Sequence, residues 1–260
     1  MKIASWNVNS LAVRMPHLLD WLEAAEPDVV GLQETKCEDA KFPDGALAER
    51  GWRSVFAGQK TYNGVALLAR GRLEDACIGV RGFEDSQQRA IAATVGGVRI
   101  VNLYVVNGQS VGSDKYAYKL AWLAAVRDWL AHELAAHPKL VVLGDFNIAP
   151  DARDVHDPEL WHDGHILSST AERDALRALL DLGLHDAFRL HDDAGGTFSW
   201  WDYRQAAYRR GMGLRIDLTL VSDALRGACV EAGIDRTPRT WERPSDHAPA
   251  WVRLDPAALG

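Results

Sequence analysis

Short apolar runs alternate along the chain with longer stretches in which apolar residues recur every three to four positions. The short runs, at 2–8, 28–33, 64–69, 91–95, 98–105, 140–146, 215–221 and 248–254, predict β-strands. Three longer stretches predict helices. Residues 14–25 carry Leu18, Leu19, Leu22 and Ala25 on one face, and residues 114–135 space Tyr116, Leu120, Leu123, Leu130 and Leu134 in the same way. Residues 170–182 follow Ser169-Thr170-Ala171-Glu172, a capping-box pattern, and stop before Gly183. Glycines and charged pairs between strands imply hairpins as well as crossovers, hence mixed pairing. So many strands exceed one small sheet, and the expected class is α/β with two packed sheets flanked by helices.

No stretch has linker or low-complexity composition, so residues 1–260 are expected to form a single domain. The segments Lys2 to Asn9 and Lys139 to Ile148 echo each other as apolar strands ending in amides or acids. That echo suggests a pseudo-twofold relation between two halves.

Polar residues recur where the apolar runs stop: Asn7, Glu34, Asp145 with Asn147, and Asp246 with His247. Asp217 lies inside the apolar run Leu214 to Leu220. Strand alternation places Asp145 and Asn147 on one face, and strand ends can converge at one rim of a sandwich. Asp, Glu and Asn oxygens suit a hard cation such as Mg²⁺. One histidine among carboxylates adds acid/base chemistry. There is no serine-nucleophile elbow and no Walker-type loop. Phosphodiester hydrolysis by an activated water fits this inventory best. Each residue alone also has a plain reading, as a turn residue or a hydrogen-bonded histidine. For Asp217 two readings stay open, a structural ion pair with an arginine and a catalytic role, because a buried carboxylate needs a partner.

Composition narrows the setting. The chain is 47% hydrophobic, enough for a large core, and no apolar run reaches membrane-spanning length. Met1 and Lys2 lead directly into a strand with no signal peptide, so a cytoplasmic location is expected. Cys37, Cys77 and Cys229 are far apart and odd in number, which argues for a reducing compartment and against a disulfide framework or zinc site. The net charge of −7 removes bulk basicity as an argument for nucleic acid, so any such binding needs a local basic patch.

Six segments together resemble a known pattern. Ser5-Trp6-Asn7-Val8-Asn9, Leu32-Gln33-Glu34-Thr35-Lys36, Tyr104-Val105-Val106-Asn107-Gly108, Gly144-Asp145-Phe146-Asn147-Ile148-Ala149-Pro150, Gly213-Leu214-Arg215-Ile216-Asp217 and Pro244-Ser245-Asp246-His247-Ala248-Pro249 look like the ordered motifs of the exonuclease III and abasic-site endonuclease family, within the endonuclease/exonuclease/phosphatase superfamily. The resemblance runs from residue 3 to residue 249. It implies a deoxyribonuclease-like four-layer α/β sandwich with one catalytic cleft. By matching position, Glu34 would be the main ligand of Mg²⁺ (or Mn²⁺), with Asn7 beside it and Asp246 as a second metal-site carboxylate or a partner. Asp145 would align or deprotonate the water, and Asn147 would hold the phosphate or that water. His247 would contact the scissile phosphate, its tautomer set by Asp217. Tyr104 and Asn107 would line the phosphate site, and Asp28 and Lys36 would support Glu34. The implied substrate is double-stranded DNA with abasic sites or 3′ ends, acted on by a monomer without a membrane. The implied activities are abasic-site cleavage, 3′→5′ nucleotide removal and 3′-phosphatase action.

The stretch Tyr203 to Arg215 contains Arg204, Arg209, Arg210 and Arg215 and no acid, and follows Phe198-Ser199-Trp200-Trp201. A basic loop beside tryptophans can clamp phosphates and stack on bases; the alternative is a solvated loop over core tryptophans. Asp114 to Lys119 is a second DNA-contact candidate, against a helix start with buried tyrosines. Two departures from the family pattern stand out. Val106-Asn107-Gly108-Gln109 lacks a proline that many relatives carry. The segment Asp151 to His165 is idiosyncratic, and His156 or Trp161 is expected to border the nucleotide pocket and favour 3′-end trimming. The competing functional readings are a phosphatase or phosphodiesterase of the same fold for a small or lipid phosphate, and a non-catalytic DNA-binding module.

Overall fold

The computed structural model describes residues 1–259. The chain runs β1 (Lys2–Asn7), α1 (Leu11–Ala25), β2 (Val29–Gln33), α2 (Asp44–Ala48), β3 (Arg53–Ala57), β4 (Val65–Ala69), β5 (Glu74–Ile78), β6 (Ala90–Val95), β7 (Val98–Tyr104), α3 (Asp114–Ala136), β8 (Leu140–Asp145), α4 (Thr170–Leu180), β9 (Leu184–Asp186), β10 (Asp217–Ser222), α5 (Asp223–Arg226), β11 (Cys229–Ile234) and β12 (Ala250–Leu254). The strands form two mixed six-stranded sheets, ordered β11-β12-β1-β2-β4-β3 and β5-β6-β7-β8-β10-β9. This is the four-layer architecture expected, with α1 covering the first sheet and α3 and α4 the second.

All eight expected strands appear, with bounds shifted by a residue or two. β3, β5, β9 and β11 were not legible as strands. β5 and β11 carry exposed positions on both faces, and β9 is three residues long, so none shows apolar alternation. Arg53 to Ala57 lacks a fully buried face except at its end. α1 starts at Leu11, three residues earlier than its periodicity predicts, and carries Pro16 inside it. The capping box on α4 forms as read: the Ser169 hydroxyl accepts from the Glu172 amide, and the Glu172 carboxylate accepts from the Ser169 amide.

The pseudo-twofold relation exists, but between different strands from those whose sequences echo. Each sheet contains one parallel pair joined by a helix, β1-α1-β2 in the first and β7-α3-β8 in the second, and every other pairing is antiparallel. Laid side by side, the two sheet orders equate β1 with β7 and β2 with β8. The echo of β1 in β8 reflects a shared requirement, a buried strand ending at the polar rim, and not structural equivalence.

The sheets meet through apolar side chains such as Ile3, Val29, Leu67, Ile100, Val141 and Leu143. Their spacing is tight at Gly31, where an added Cβ would lie 2.3 Å from Leu143 and 2.9 Å from Asn102. Asn102 and Gln33 bond to each other across this interface, and Asn102 also donates to the carbonyls of Leu32 and Ala66. A satisfied polar lock of this kind fixes the sheets in one register and so fixes the strand ends relative to each other.

Candidate active site

The carboxyl ends of the two parallel pairs lie at one rim. β1 delivers Asn7, the turn after β2 delivers Glu34, β7 ends in Tyr104, and β8 ends in Asp145. Glu34 and Asn147 both adopt left-handed backbone, with φ of 51° and 49°, so each side chain turns off its strand axis. β10 opens with Asp217 opposite Asp145. His247 precedes β12 and pairs with Trp200 through an isolated bridge.

Ligand atoms of Glu34, Asp145 and His247 all lie within 4.8 Å of one another. Asn7 Nδ2 bridges the acids, donating to Glu34 Oε1 at 3.0 Å and Asp145 Oδ2 at 2.9 Å. Its Oδ1 accepts from the Asn9 amide. Asn7 here ties the carboxylates together. The Asn147 amide and side chain both donate to Asp145, and its side chain also donates to the Val105 carbonyl. Asn107 Nδ2 donates to Asn147 Oδ1. His247 Nδ1 faces both oxygens of Asp217, at 2.9 and 3.1 Å, leaving Nε2 directed at the cluster, 3.8 Å from Asp145. The partner of Asp217 is thus His247, not an arginine.

The electrostatics differ from group to group. Burial pushes Glu34 up, but Lys36 at 2.8 Å, the Asn7 amide and His247 outweigh it and hold the carboxyl below its ordinary value. Asp145 goes the other way. Burial, opposed by His247 and Asn7 but reinforced by Asp217 and Glu34, raises it to about 7. Burial alone would favour neutral His247, yet the carboxylates of Asp217 and Asp145 lift it to about 10. Burial together with Glu34 and Asp145 drives the Tyr104 hydroxyl well above its ordinary value, so it stays a donor, and it bonds Glu34. Two convergent carboxylates with one ionised at neutral pH form a donor set that fits a hard divalent cation.

Residues 4–247 match the endonuclease/exonuclease/phosphatase family. This chain belongs to that family. It is 36% identical to exodeoxyribonuclease III of Haemophilus influenzae, over 98% of this chain and 100% of that protein. Among solved structures it resembles a 3′–5′ exonuclease from Neisseria meningitidis, with a TM-score of 0.96 and 47% identity over 98% of this chain and 100% of that one. It also resembles an AP endonuclease from Archaeoglobus fulgidus, with a TM-score of 0.92 and 34% identity over 98% and 99% of the two chains. One further similar structure, at 47% identity and covering 98% and 99% of the chains with a TM-score of 0.96, is a Neisseria 3′ phosphatase variant bound to a product DNA hairpin.

Asp28 and Arg215 lie away from the site, and the other expected residues fall at or around it. Asp28 sits at the opposite end of β2 from Glu34, where its carboxylate accepts from the Lys2 amide. Lys36 does support Glu34. Asp246 lies beside the convergent trio, and its oxygens accept from Asn9 Nδ2 and Trp200 Nε1. Arg215 is removed from the basic loop. It is buried and paired with Asp154 and Asp186, because a strand-entry position facing the interior cannot leave a guanidinium unpaired. Arg204, Arg209 and Arg210 are exposed. His156 is half-buried, with Nδ1 3.3 Å from the Gly213 carbonyl. In the second DNA-contact candidate, Tyr116 and Lys119 are buried, while Lys115 and the half-buried Tyr118 line a cavity.

Four residues at or beside the site were not singled out by the sequence. Ser199 holds Asp217, donating to its Oδ2 at 2.7 Å and accepting from the Asp217 and Ile216 amides. Ser245 donates to the Asn7 carbonyl and accepts from the His247 amide. Arg89 lies over the Tyr104 ring at 4.7 Å. Tyr62, 68% exposed, edges a cavity of about 670 Å³ that also takes in Gln59, Arg89, Tyr104, Asn107 and Lys115. Serines beside motif residues carry no separable signal, and Arg89 and Tyr62 lie in segments without periodicity.

Proposed function

We propose that this protein is a divalent-cation-dependent DNA repair nuclease of the exonuclease III type, hydrolysing phosphodiesters at abasic sites, at 3′ ends, or both. The observation that carries this reading is the convergence of Glu34, Asp145 and His247 at a rim closed by Asn7, Asn147 and Asp217. Glu34, kept ionised by Lys36, is the main holder of Mg²⁺ or Mn²⁺, with Asn7 and Asp246 beside it. When bound, the cation would supply charge neutralisation to the phosphate undergoing attack. Asp145 sits near 7, so it can accept a proton from an attacking water at neutral pH. Asn147 holds Asp145 and presents its amide to the same space. His247 keeps its proton and directs Nε2–H toward a phosphate oxygen, while Asp217 holds the ring. Tyr104 and Asn107 line the phosphate site.

The DNA surface continues from this rim. Trp200 pairs with His247 through the backbone, and the loop that follows exposes Tyr203, Arg204, Arg209 and Arg210. Tyr203 is 52% exposed, yet its hydroxyl is fixed by Arg14 and by the Pro244 carbonyl, which leaves the ring free to stack. His156 meets the end of this loop, where its amide donates to the Gly213 carbonyl. Exposed cations offset the net charge of −7 locally, which suits duplex DNA better than a small or lipid phosphate. No helix among the described residues is long and apolar enough to cross a membrane. The acting unit is one catalytic domain, a monomer, working in the cytoplasm with the DNA.

End-labelled duplexes carrying an internal abasic analogue, a recessed 3′-hydroxyl or a 3′-phosphate test the reading, each in Mg²⁺ and in EDTA. Cation-dependent cleavage of at least one is expected, and the preferred duplex sets the specialisation. Inert duplexes beside hydrolysis of a small phosphate ester would move the assignment to the small-phosphate branch.

A further inference from the structure

Lys119 on α3 is 0% exposed, an unusual place for an ammonium. Its three protons reach three acceptors: the Asn147 carbonyl at 2.7 Å, the Asn107 carbonyl at 3.1 Å and the Glu172 carboxylate. Glu172 is equally buried and already serves the α4 cap through Ser169, and also accepts from the Leu167 amide. Burying such a pair costs more than an apolar pair of the same volume, so core filling alone does not explain it. The two carbonyls do. They belong to the two loops whose side chains reach the site, and Lys119 is the only group bonded to both of them among the described residues. Room for its stem depends on Gly108, where an added Cβ would lie 3.1 Å from Lys119 Cδ and 2.9 Å from Ile166, at a φ of +92°.

We infer that Lys119 is a positioning residue that holds the Asn107 and Asn147 loops in register for the reaction proposed above, on which this inference rests. Asn147 has left-handed backbone, and the peptides on either side of its Cα are each held. Its amide donates to Asp145 Oδ1 at 2.9 Å, and its carbonyl accepts from Lys119. Releasing the carbonyl frees ψ at Asn147 and so moves the side-chain amide that touches Asp145 and Asn107. Lys119 touches neither Asp145 nor His247 through any hydrogen bond, so its action passes through the two asparagines.

Glu172→Gln and Lys119→Met/Glu172→Gln separate this role from a purely structural one. The single variant keeps the Lys119 nitrogen as a donor to both carbonyls, charged or neutral; the double variant removes that donor without stranding a charge. Both are read at a temperature that leaves each folded. The expected result is kcat on the preferred duplex within about threefold of the unaltered chain for Glu172→Gln and at least tenfold lower for the double variant, with KM in both within threefold. Hydrogen exchange supplies a readout independent of catalysis: peptides covering 105–109 and 146–150 exchange at least tenfold faster in the double variant than in the single one, while 170–180 keeps its protection. Equal kcat in the two variants, or unchanged exchange in both loops, overturns the inference. An unaltered chain that cleaves no duplex overturns the nuclease reading instead, and the exchange comparison still decides the role of Lys119.

Discussion

The two halves of the molecule share a topology and differ in the electrostatics of the acids they deliver. β1-α1-β2 ends in Asn7 and Glu34, and β7-α3-β8 ends in Tyr104 and Asp145. In each half the turn after the second parallel strand contains a left-handed residue, Glu34 or Asn147. The difference lies in what surrounds the carboxylate. Glu34 has Lys36 beside it and stays ionised; Asp145 is fully enclosed, faces Asp217 and Glu34, and is raised to about 7. A repeated backbone therefore presents one acid fit to hold a cation and another fit to take a proton. Topology fixes where the acids meet, and local charge sets them apart in acidity.

Exchanging or deleting those acids breaks the division most directly. Glu34→Ala and Asp145→Ala should each lower kcat by about 10³-fold or more, given the combined scale of metal and general-base contributions. Titration tells the two apart. Raised Mg²⁺ should recover part of the Glu34→Ala loss and none of the Asp145→Ala loss. Equal recovery in both would mean that the halves share one role.

Asp217 and Ser199 lie one step further from the reacting atoms. Asp217→Asn removes the carboxylate that holds the His247 ring and its charge, and a loss of about 10²-fold in kcat is expected, with the pH profile displaced toward acid because His247 loses its proton earlier. An unmoved alkaline limb would show that His247 does not act as a charged donor.

Stability against pH sharpens the same comparison without a substrate. His247 is raised from 6.5 to about 10, so its contribution is complete below pH 6.5 and is lost as pH climbs through 10. Asp145 is raised from 3.8 to about 7, so the folded state favours its protonated form, and that contribution is lost as pH rises through 7. In EDTA, Tm should fall steadily from neutral pH to about 10. Added Mg²⁺ at a hundred times its Kd should restore about 2.7 kcal/mol through mass action. Loss of the Mg²⁺ effect in Glu34→Ala, with the EDTA slope kept, would locate the cation on the first half of the fold.

Much of this was legible in the sequence because buried polar groups at strand ends are few and conspicuous. Asn7, Glu34, Asp145, Asn147, Asp217 and His247 interrupt or close apolar runs, and the structure gathers all of them. The central strands read clearly for the same reason. The edges did not: β5 and β11 have no buried face to impose alternation. Arg215 and Lys119 each read with exposed neighbours, in the basic loop and in the second DNA-contact candidate, because charge type carries no information on burial. The residues that hold the site, Ser199, Ser245 and Lys119, act through contacts between segments far apart in the chain, which no local pattern records.

The exposed arginines should show smaller effects than the rim. Arg209→Ala and Arg210→Ala are each expected to reduce the slope of log K against log salt by about 1, with losses in DNA affinity similar across sequences. The response of kcat should stay within threefold. A kcat collapse without a change in salt slope would place these arginines in the chemistry and remove them from the phosphate track.

His156 sits where the effect should be smallest and most specific. Both its amide and its Nδ1 approach the Gly213 carbonyl, and its ring meets the edge of Trp161 at 6.2 Å between centroids. Deleting the ring keeps the amide bond to Gly213 and opens space beside Trp161. His156→Gly should therefore shift the ratio of 3′-end trimming to abasic-site cleavage by a few fold, toward abasic cleavage, while total activity stays near that of the unaltered chain. Glycine also adds backbone freedom, about 1 kcal/mol of it, so His156→Ala is the necessary companion. A shift shared by both variants belongs to the ring and makes this segment a determinant of substrate choice. A shift confined to glycine belongs to the backbone, and an unchanged ratio in both assigns His156 to packing against Gly213 and Trp161 alone.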